Sequence, residues 1–209
     1  MMPLHRLLAP VLAAAMACVP APAHSQGADR EQADPGGDSL MMAAPEGWVP
    51  VGQQRTDQLY ELAYLPEGQS LEDWQASLQV QIFFNLAKQR PDLTPADFTE
   101  NMVRVWSTSC EEARASPISS FHERGYPAAV RMLTCPRSRG GETGSVSMIK
   151  VMQGRASMYL LERAWRGPVF AAGDMPVAQE TLDEWAEFLA ATSLCNPDNA
   201  EAPCGGAPR

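Results

Sequence analysis

Histidine is scarce in this chain: three residues in 209, two of them within the first 24 positions. A Ser-His-Asp hydrolase needs an imidazole base beside its nucleophile, and only His122 lies in the body of the chain to supply one. No Gly-x-Ser-x-Gly elbow is present to expose a serine. No two cysteines stand as Cys-x-x-Cys, which removes the dithiol redox centre and the close-spaced zinc site. The glycines of Arg139-Gly140-Gly141-Glu142-Thr143-Gly144 are followed by no Lys-Ser/Thr and lead into a strand, so they read as a connection rather than a phosphate loop. Basic residues are also few, 16 against 25 acids, for a formal charge of −9. A surface that acidic repels phosphate backbones, and no basic patch offsets it, so no nucleic-acid partner is expected. No metal ligand set, cofactor motif or catalytic constellation is visible.

The amino terminus does carry a signal. His5 and Arg6 provide a short positive region, and no acid precedes Asp29. Leu7 to Val19 follows as 13 uncharged residues, within the ~7–15 of a secretory core and short of the ~18–20 a transmembrane helix needs. Pro20 breaks the run, and Ala21-Pro22-Ala23 places small residues where a signal peptidase reads. Cleavage is expected after Ala23. Cys18 could instead accept a lipid, but Ala15-Met16-Ala17 before it lacks the Leu of a lipoprotein signal and carries a bulky Met, so ordinary cleavage fits better. Removing residues 1–23 leaves 15 basic and 25 acidic side chains, a formal −10. No later segment is long and apolar enough to span a bilayer. The expected compartment is periplasmic or secreted.

Cleavage turns five cysteines into four: Cys110, Cys135, Cys195 and Cys204. An even set in an exported chain reads as two disulfides. Three pairings are possible, and spacing favours Cys110–Cys135 with Cys195–Cys204, each closing a short segment. The second would clip the Pro-rich tail, residues 196–209.

Residues 24–44 hold few large apolar side chains and read as a disordered leader. A single domain is expected over 45–195, from Pro45-Glu46-Gly47-Trp48 onward. Gln58 to Leu65 alternates with Tyr60, Leu62 and Tyr64 on one side, and Pro66 ends it. Leu78, Val80, Ile82, Phe84 and Leu86 recur at a spacing of two, which marks a half-buried strand. Thr94-Pro95-Ala96-Asp97 opens a helix that puts Phe98, Met102, Val105, Trp106 and Cys110 on one face. Strands follow over 118–123, 126–135, 146–152 and 156–165, the last two forming a hairpin at Gln153-Gly154-Arg155. A helix from about Pro176 to Leu194 buries Leu182, Trp185, Phe188, Leu189 and Thr192. The order β-β-β-α-β-β-β-β-α predicts an antiparallel sheet flanked by helices, the α+β class.

This layout resembles the Mog1/PsbP-like superfamily, and within it the exported DcrB-like bacterial proteins. The shared features are Pro45-Glu46-Gly47-Trp48, the strand ended by Pro66, the turn at Trp74 and the strand through Phe83-Phe84. The helix from Phe98 to Trp106 and the hairpin Gly154-Arg155-Ala156-Ser157-Met158-Tyr159 complete them. The resemblance spans most of residues 45–194. It implies a curved sheet between helices that serves as a binding or assembly factor, with no catalytic signature to carry over.

One polar group stands out within the apolar strands. Arg131, Lys150 and Glu162 would gather on one sheet face if their strands aligned that way. Such a group is either a recognition patch or a structural ion pair between strands. His122, beside Glu123, reads as a strand-end histidine facing water. The expected function is an exported, non-catalytic protein that binds another envelope protein or an envelope component. The alternative is a carrier of a small apolar ligand in a cavity between sheet and helix. An envelope hydrolase stands behind both, because nothing singles out two of the 25 acids as a catalytic pair.

Overall fold

The computed structural model describes residues 34–204, so the expected signal segment, the start of the leader and the last five residues lie outside the described part. In chain order the elements are β1 (Ser39–Met41), β2 (Trp48–Arg55), β3 (Leu59–Pro66), β4 (Ala76–Phe83), α1 (Leu86–Gln89), α2 (Pro95–Ser107), β5 (Cys110–Glu111), β6 (Arg114–Ala115) and β7 (Ser119–Glu123). Then come β8 (Tyr126–Cys135), β9 (Arg137–Ser138), β10 (Thr143–Gln153), β11 (Met158–Pro168), α3 (Gln179–Ala191) and β12 (Ser193–Cys195). The main sheet runs β2-β3-β4-β11-β10-β8-β6, with β7 also on β8, and every pairing in it is antiparallel. The fold is α+β, and its principal elements follow the expected order.

α3 covers the apolar face on one side of the sheet, and α2 covers the apolar part of the other. Val80, Ile82, Leu161 and Leu189 join in one core under α3, and Val146, Leu182 and Trp185 extend it. On the opposite face α2 lays Phe98 and Met102 against Val151, Met158 and Leu160. The Phe98 ring meets Phe83 edge-on at 5.1 Å between centroids. The start of α2 is built as its residues dictate: Thr94 Oγ1 accepts from Asp97 N at 3.1 Å while Asp97 Oδ2 accepts from Thr94 N at 3.3 Å, a capping box that satisfies two otherwise orphaned donors.

Some details differ from the sequence reading. Val105 is 68 % exposed, and Cys110 lies beyond the helix in β5, because α2 ends at Ser107; its core contacts with the sheet come from Phe98 and Met102. The long alternating strand stops at Phe83. Asn85 takes a left-handed φ of 59° there and starts α1, which leaves Leu86 helical. The cysteines join as Cys110–Cys135 and Cys195–Cys204, the pairing that their spacing favours.

The largest correction concerns the segment read as a leader. From Asp34 onward it is built into the fold: β1 pairs with β12, and Asp34 and Asp38 are buried. Ser157 Oγ and Tyr159 Oη donate to Asp34 at 2.5 and 3.0 Å. Asp38 accepts from Tyr126 Oη at 2.8 Å, Asn196 Nδ2 at 2.9 Å and the Arg155 amide at 2.5 Å. Gly36 lets this strap lie flat on the β10–β11 hairpin, since a Cβ there would stand 3.0 Å from Ala156. Burial above all, and then Asp34, raises Tyr159 well beyond the usual phenol range, so it remains a donor. Polar residues spaced among Gly and Pro look disordered until a buried set of donors meets them.

Replacing Asp38 by Ala leaves the Tyr126 hydroxyl and the Asn196 carboxamide buried without their acceptor. The expected loss is about 3 kcal/mol, read from the urea midpoint, with residues 34–41 becoming open to limited proteolysis. An unchanged midpoint contradicts the anchoring role.

Candidate functional site

The three polar residues picked from the strands do not form one patch. Strand register decides this. Ile149 of β10 stands opposite Arg131 on β8 and Glu162 on β11, whereas Lys150 stands opposite Val130 and Leu161. Because successive strand side chains point to opposite faces, Arg131 and Glu162 face α2 and Lys150 faces α3.

Lys150 is fully buried and structural. Its ammonium donates to Glu123 Oε2 at 2.7 Å, Leu189 O at 2.7 Å and Thr192 O at 2.6 Å, which uses all three of its N–H bonds. The two carbonyls belong to the end of α3, which has no basic residue of its own in the last turn. A cation from the sheet therefore caps the helix from below. Burial lowers the Lys150 pKa, and Glu123 partly restores it. Arg131 is likewise engaged: Nη1 lies 3.0 Å from Glu100 Oε1 on α2, and Nε donates to Ser116 O at 2.6 Å.

Glu162 stands opposite Gln79, in a row that leads to a different feature. Across β2, β3 and β4 the α2 side of the sheet bears no described helix. Gly52, Ala63 and Gln79 stand in one cross-strand row that continues to Glu162, and Gln54, Glu61 and Gln81 form the next row. Gly52 and Ala63 are small, so the first row is a trough, and the second row is its wall. The groove holds about 320 Å³. Gln81 Nε2 donates to Glu61 Oε1 at 2.8 Å and fixes the wall. Leu71, 54 % exposed, lies 3.9 Å from where a Cβ on Gly52 would stand. Glu162 is half-buried at the far end of the row, and burial raises its carboxyl above the ordinary 4.5 while Ser147 opposes the shift.

Chemically, the groove can hydrogen-bond but has nothing to react with. Its carboxamides each offer a donor and an acceptor, and it holds no nucleophile paired with a base. His122 is exposed on β7 and borders a separate cleft of about 310 Å³ with Thr94, Pro95 and Phe121. Among the described residues no cluster of three His, Cys, Asp or Glu side chains could hold a metal ion, and no helix is long and apolar enough to cross a membrane. Sequence reading missed the groove because Gln and Gly on alternating strands carry no motif; the period-two placement of Gln79 and Gln81 on one side of β4 was the available signal.

No protein-family model and no curated protein matches the sequence. The fold is similar to solved structures of the Mog1/PsbP-like group that the element order resembles. Cyanobacterial PsbP from Synechocystis sp. is 13 % identical, with 77 % of this chain and 93 % of that one covered and a TM-score of 0.47. The Ran-binding protein Mog1p of Saccharomyces cerevisiae is 9 % identical, covering 71 % and 78 %, with a TM-score of 0.41. LpqN of Mycobacterium tuberculosis, described as involved in cell envelope biogenesis, is 14 % identical, covering 77 % and 86 %, with a TM-score of 0.40. The likeness is one of fold alone.

Two outcomes follow from the charges. Lys150→Met leaves Glu123 and two helix-end carbonyls without their cation, at a cost of about 3–5 kcal/mol in the denaturant midpoint. Adding Glu123→Gln recovers only part of this, because the carbonyls stay unpartnered; full recovery contradicts the capping role. Glu162 has a folded pKa above its unfolded one. The stability it contributes is therefore present below pH 4.5 and lost as pH rises through the raised value. Glu162→Gln should accordingly raise the melting temperature at pH 7, with the difference from the parent shrinking toward pH 4.

Proposed function

We propose that this chain is an exported, non-catalytic protein of the cell envelope whose groove across β2–β4 holds an extended segment of another envelope protein. The groove itself carries the reading. Its floor of Gly52 and Ala63 admits a close backbone, and its unreactive wall of Gln54, Glu61 and Gln81 offers the mixed donors and acceptors that peptide groups match. Export is supported by the amino-terminal signal and by the two disulfides, which persist in oxidising compartments. The carrier alternative draws less support, since Met152, Met158, Tyr159 and Leu161 fill the layers between sheet and helices rather than lining a chamber.

Photo-crosslinking in the native envelope tests this. A crosslinking side chain at Gln54 or Gln79 should trap a discrete protein that the same group at the exposed Glu187 of α3 does not. Ala63→Tyr, which fills the trough, should abolish the adduct at least tenfold while leaving the circular dichroism and melting temperature unchanged. Equal trapping at Glu187, or trapping indifferent to Ala63→Tyr, rejects the groove as the contact.

A further inference from the structure

The face opposite the groove carries a buried cation that forms no ion pair among the described residues. Arg163 of β11 follows Glu162 and so points to the α3 side, where its cross-strand neighbours are Leu78 and Met148. Its guanidinium carbon lies 4.4 Å from the centre of the Trp48 ring, 5.3 Å from Phe188 and 6.0 Å from Trp185. The residue is 8 % exposed, and Nε is buried without a hydrogen-bond partner.

Three other buried or stacked cations set the contrast. Lys150 has three acceptors, and Arg131, although its Nη1 is also buried without a hydrogen bond, has an ion pair to Glu100 and a bond from Nε to the Ser116 carbonyl. Arg166 stacks on Trp74 at 4.6 Å and still donates to the Trp74 and Glu72 carbonyls. Arg163 is stacked on three rings and donates to no described residue. Aromatic faces attract a guanidinium but cannot accept its in-plane N–H bonds. The rings therefore hold the guanidinium and shield Nε while leaving the fork unfilled. Its Nη nitrogens are not among the sealed atoms, and the neighbouring Trp48 and Phe188 are only half-buried, so the fork is reachable from solvent.

We propose that Arg163, held against Trp48 and Phe188, is a binding subsite for one oxyanion, a carboxylate or phosphate group carried by a ligand. Such a group presents two oxygens to two parallel N–H bonds, the arrangement that a rigid guanidinium recognises best. Desolvation without a partner already pulls the Arg163 pKa down to about 10, against the raising influence of Glu184. Glu184 is exposed on α3 and forms no ion pair with Arg163 within 4.0 Å. Its charge opposes an incoming anion and so makes a diagnostic variant.

The test follows the Arg163 Nε–Hε resonance of the described domain within the full mature protein during titration with inorganic phosphate, acetate, and vesicles of phosphatidylglycerol or phosphatidylcholine. The expected result is a saturable shift with phosphate or acetate, three- to tenfold tighter binding in Glu184→Gln, and at least tenfold weaker binding in Arg163→Lys, which keeps the charge and loses the fork. A response to phosphatidylglycerol vesicles alone supports the same chemistry and identifies a lipid headgroup as its source. Trp48→Ala releases the clamp without removing the cation and should weaken binding severalfold. The proposal is overturned by a resonance that stays unmoved by every anion, or by Glu184→Gln binding no tighter than the parent. Thermal shifts with phosphate that are equal in Arg163→Lys also overturn it.

Discussion

A single ammonium in the middle of the sheet holds the α3 face together. Lys150 rises from β10 into a largely apolar layer that also holds Arg163, and its three short bonds reach β7, the last turn of α3 and the residue before β12. An unneutralised charge at that depth would cost several kcal/mol, so its partners are bound to stay in place. The carbonyls at the end of α3 are equally committed, since their own helix supplies no cation. Each group therefore fixes the other.

Much of the molecule is positioned from this point. With the end of α3 pinned over β10, Leu189, Trp185 and Leu182 fall on successive parts of the sheet, and Phe188 comes over Arg163. The chain leaves the helix directly into β12, which pairs with β1 and carries Cys195 into its disulfide with Cys204. The strap of Asp34 and Asp38 closes the same corner through Tyr126, Tyr159 and Asn196. The amino-terminal and carboxy-terminal ends of the described domain are thus joined by buried polar groups together with the apolar contacts of Leu40, Leu194 and Ala202.

The α2 face is organised more loosely, and that difference makes room for a binding surface. α2 packs on β8 and β10 and reaches β4 through the Phe83–Phe98 contact, which leaves the α2 side of β2, β3 and most of β4 to Gln, Glu, Gly and Ala. Pro50 and the register shift beside it blunt the outer edge of β2, so the polar face rather than the strand edge is what this half of the sheet presents. The two proposed contacts lie on opposite faces of the sheet, the groove across β2–β4 on one and the Arg163 guanidinium on the other.

Local order in this protein was legible in the residues themselves. The period-two run from Leu78 to Phe84, the Thr94–Asp97 box, the turn at Gln153-Gly154-Arg155 and the cysteine spacing each act over a few positions, so the chain alone determined most strands, both long helices and the disulfide pairing. What it could not settle was relation across strands. Whether Lys150 lies with Arg131 and Glu162 depends on a register of one residue, and a shift of one reverses the face of every side chain. Asp34 and Asp38 carry no apolar signal and became structural only when distant Tyr, Ser and Asn donors were brought around them. The groove and the Arg163 surroundings are likewise products of pairing: the groove joins residues 52 to 81 across three strands, and Arg163 meets Trp48, more than a hundred positions away, and Phe188 of α3, so only the tertiary fold sets those distances.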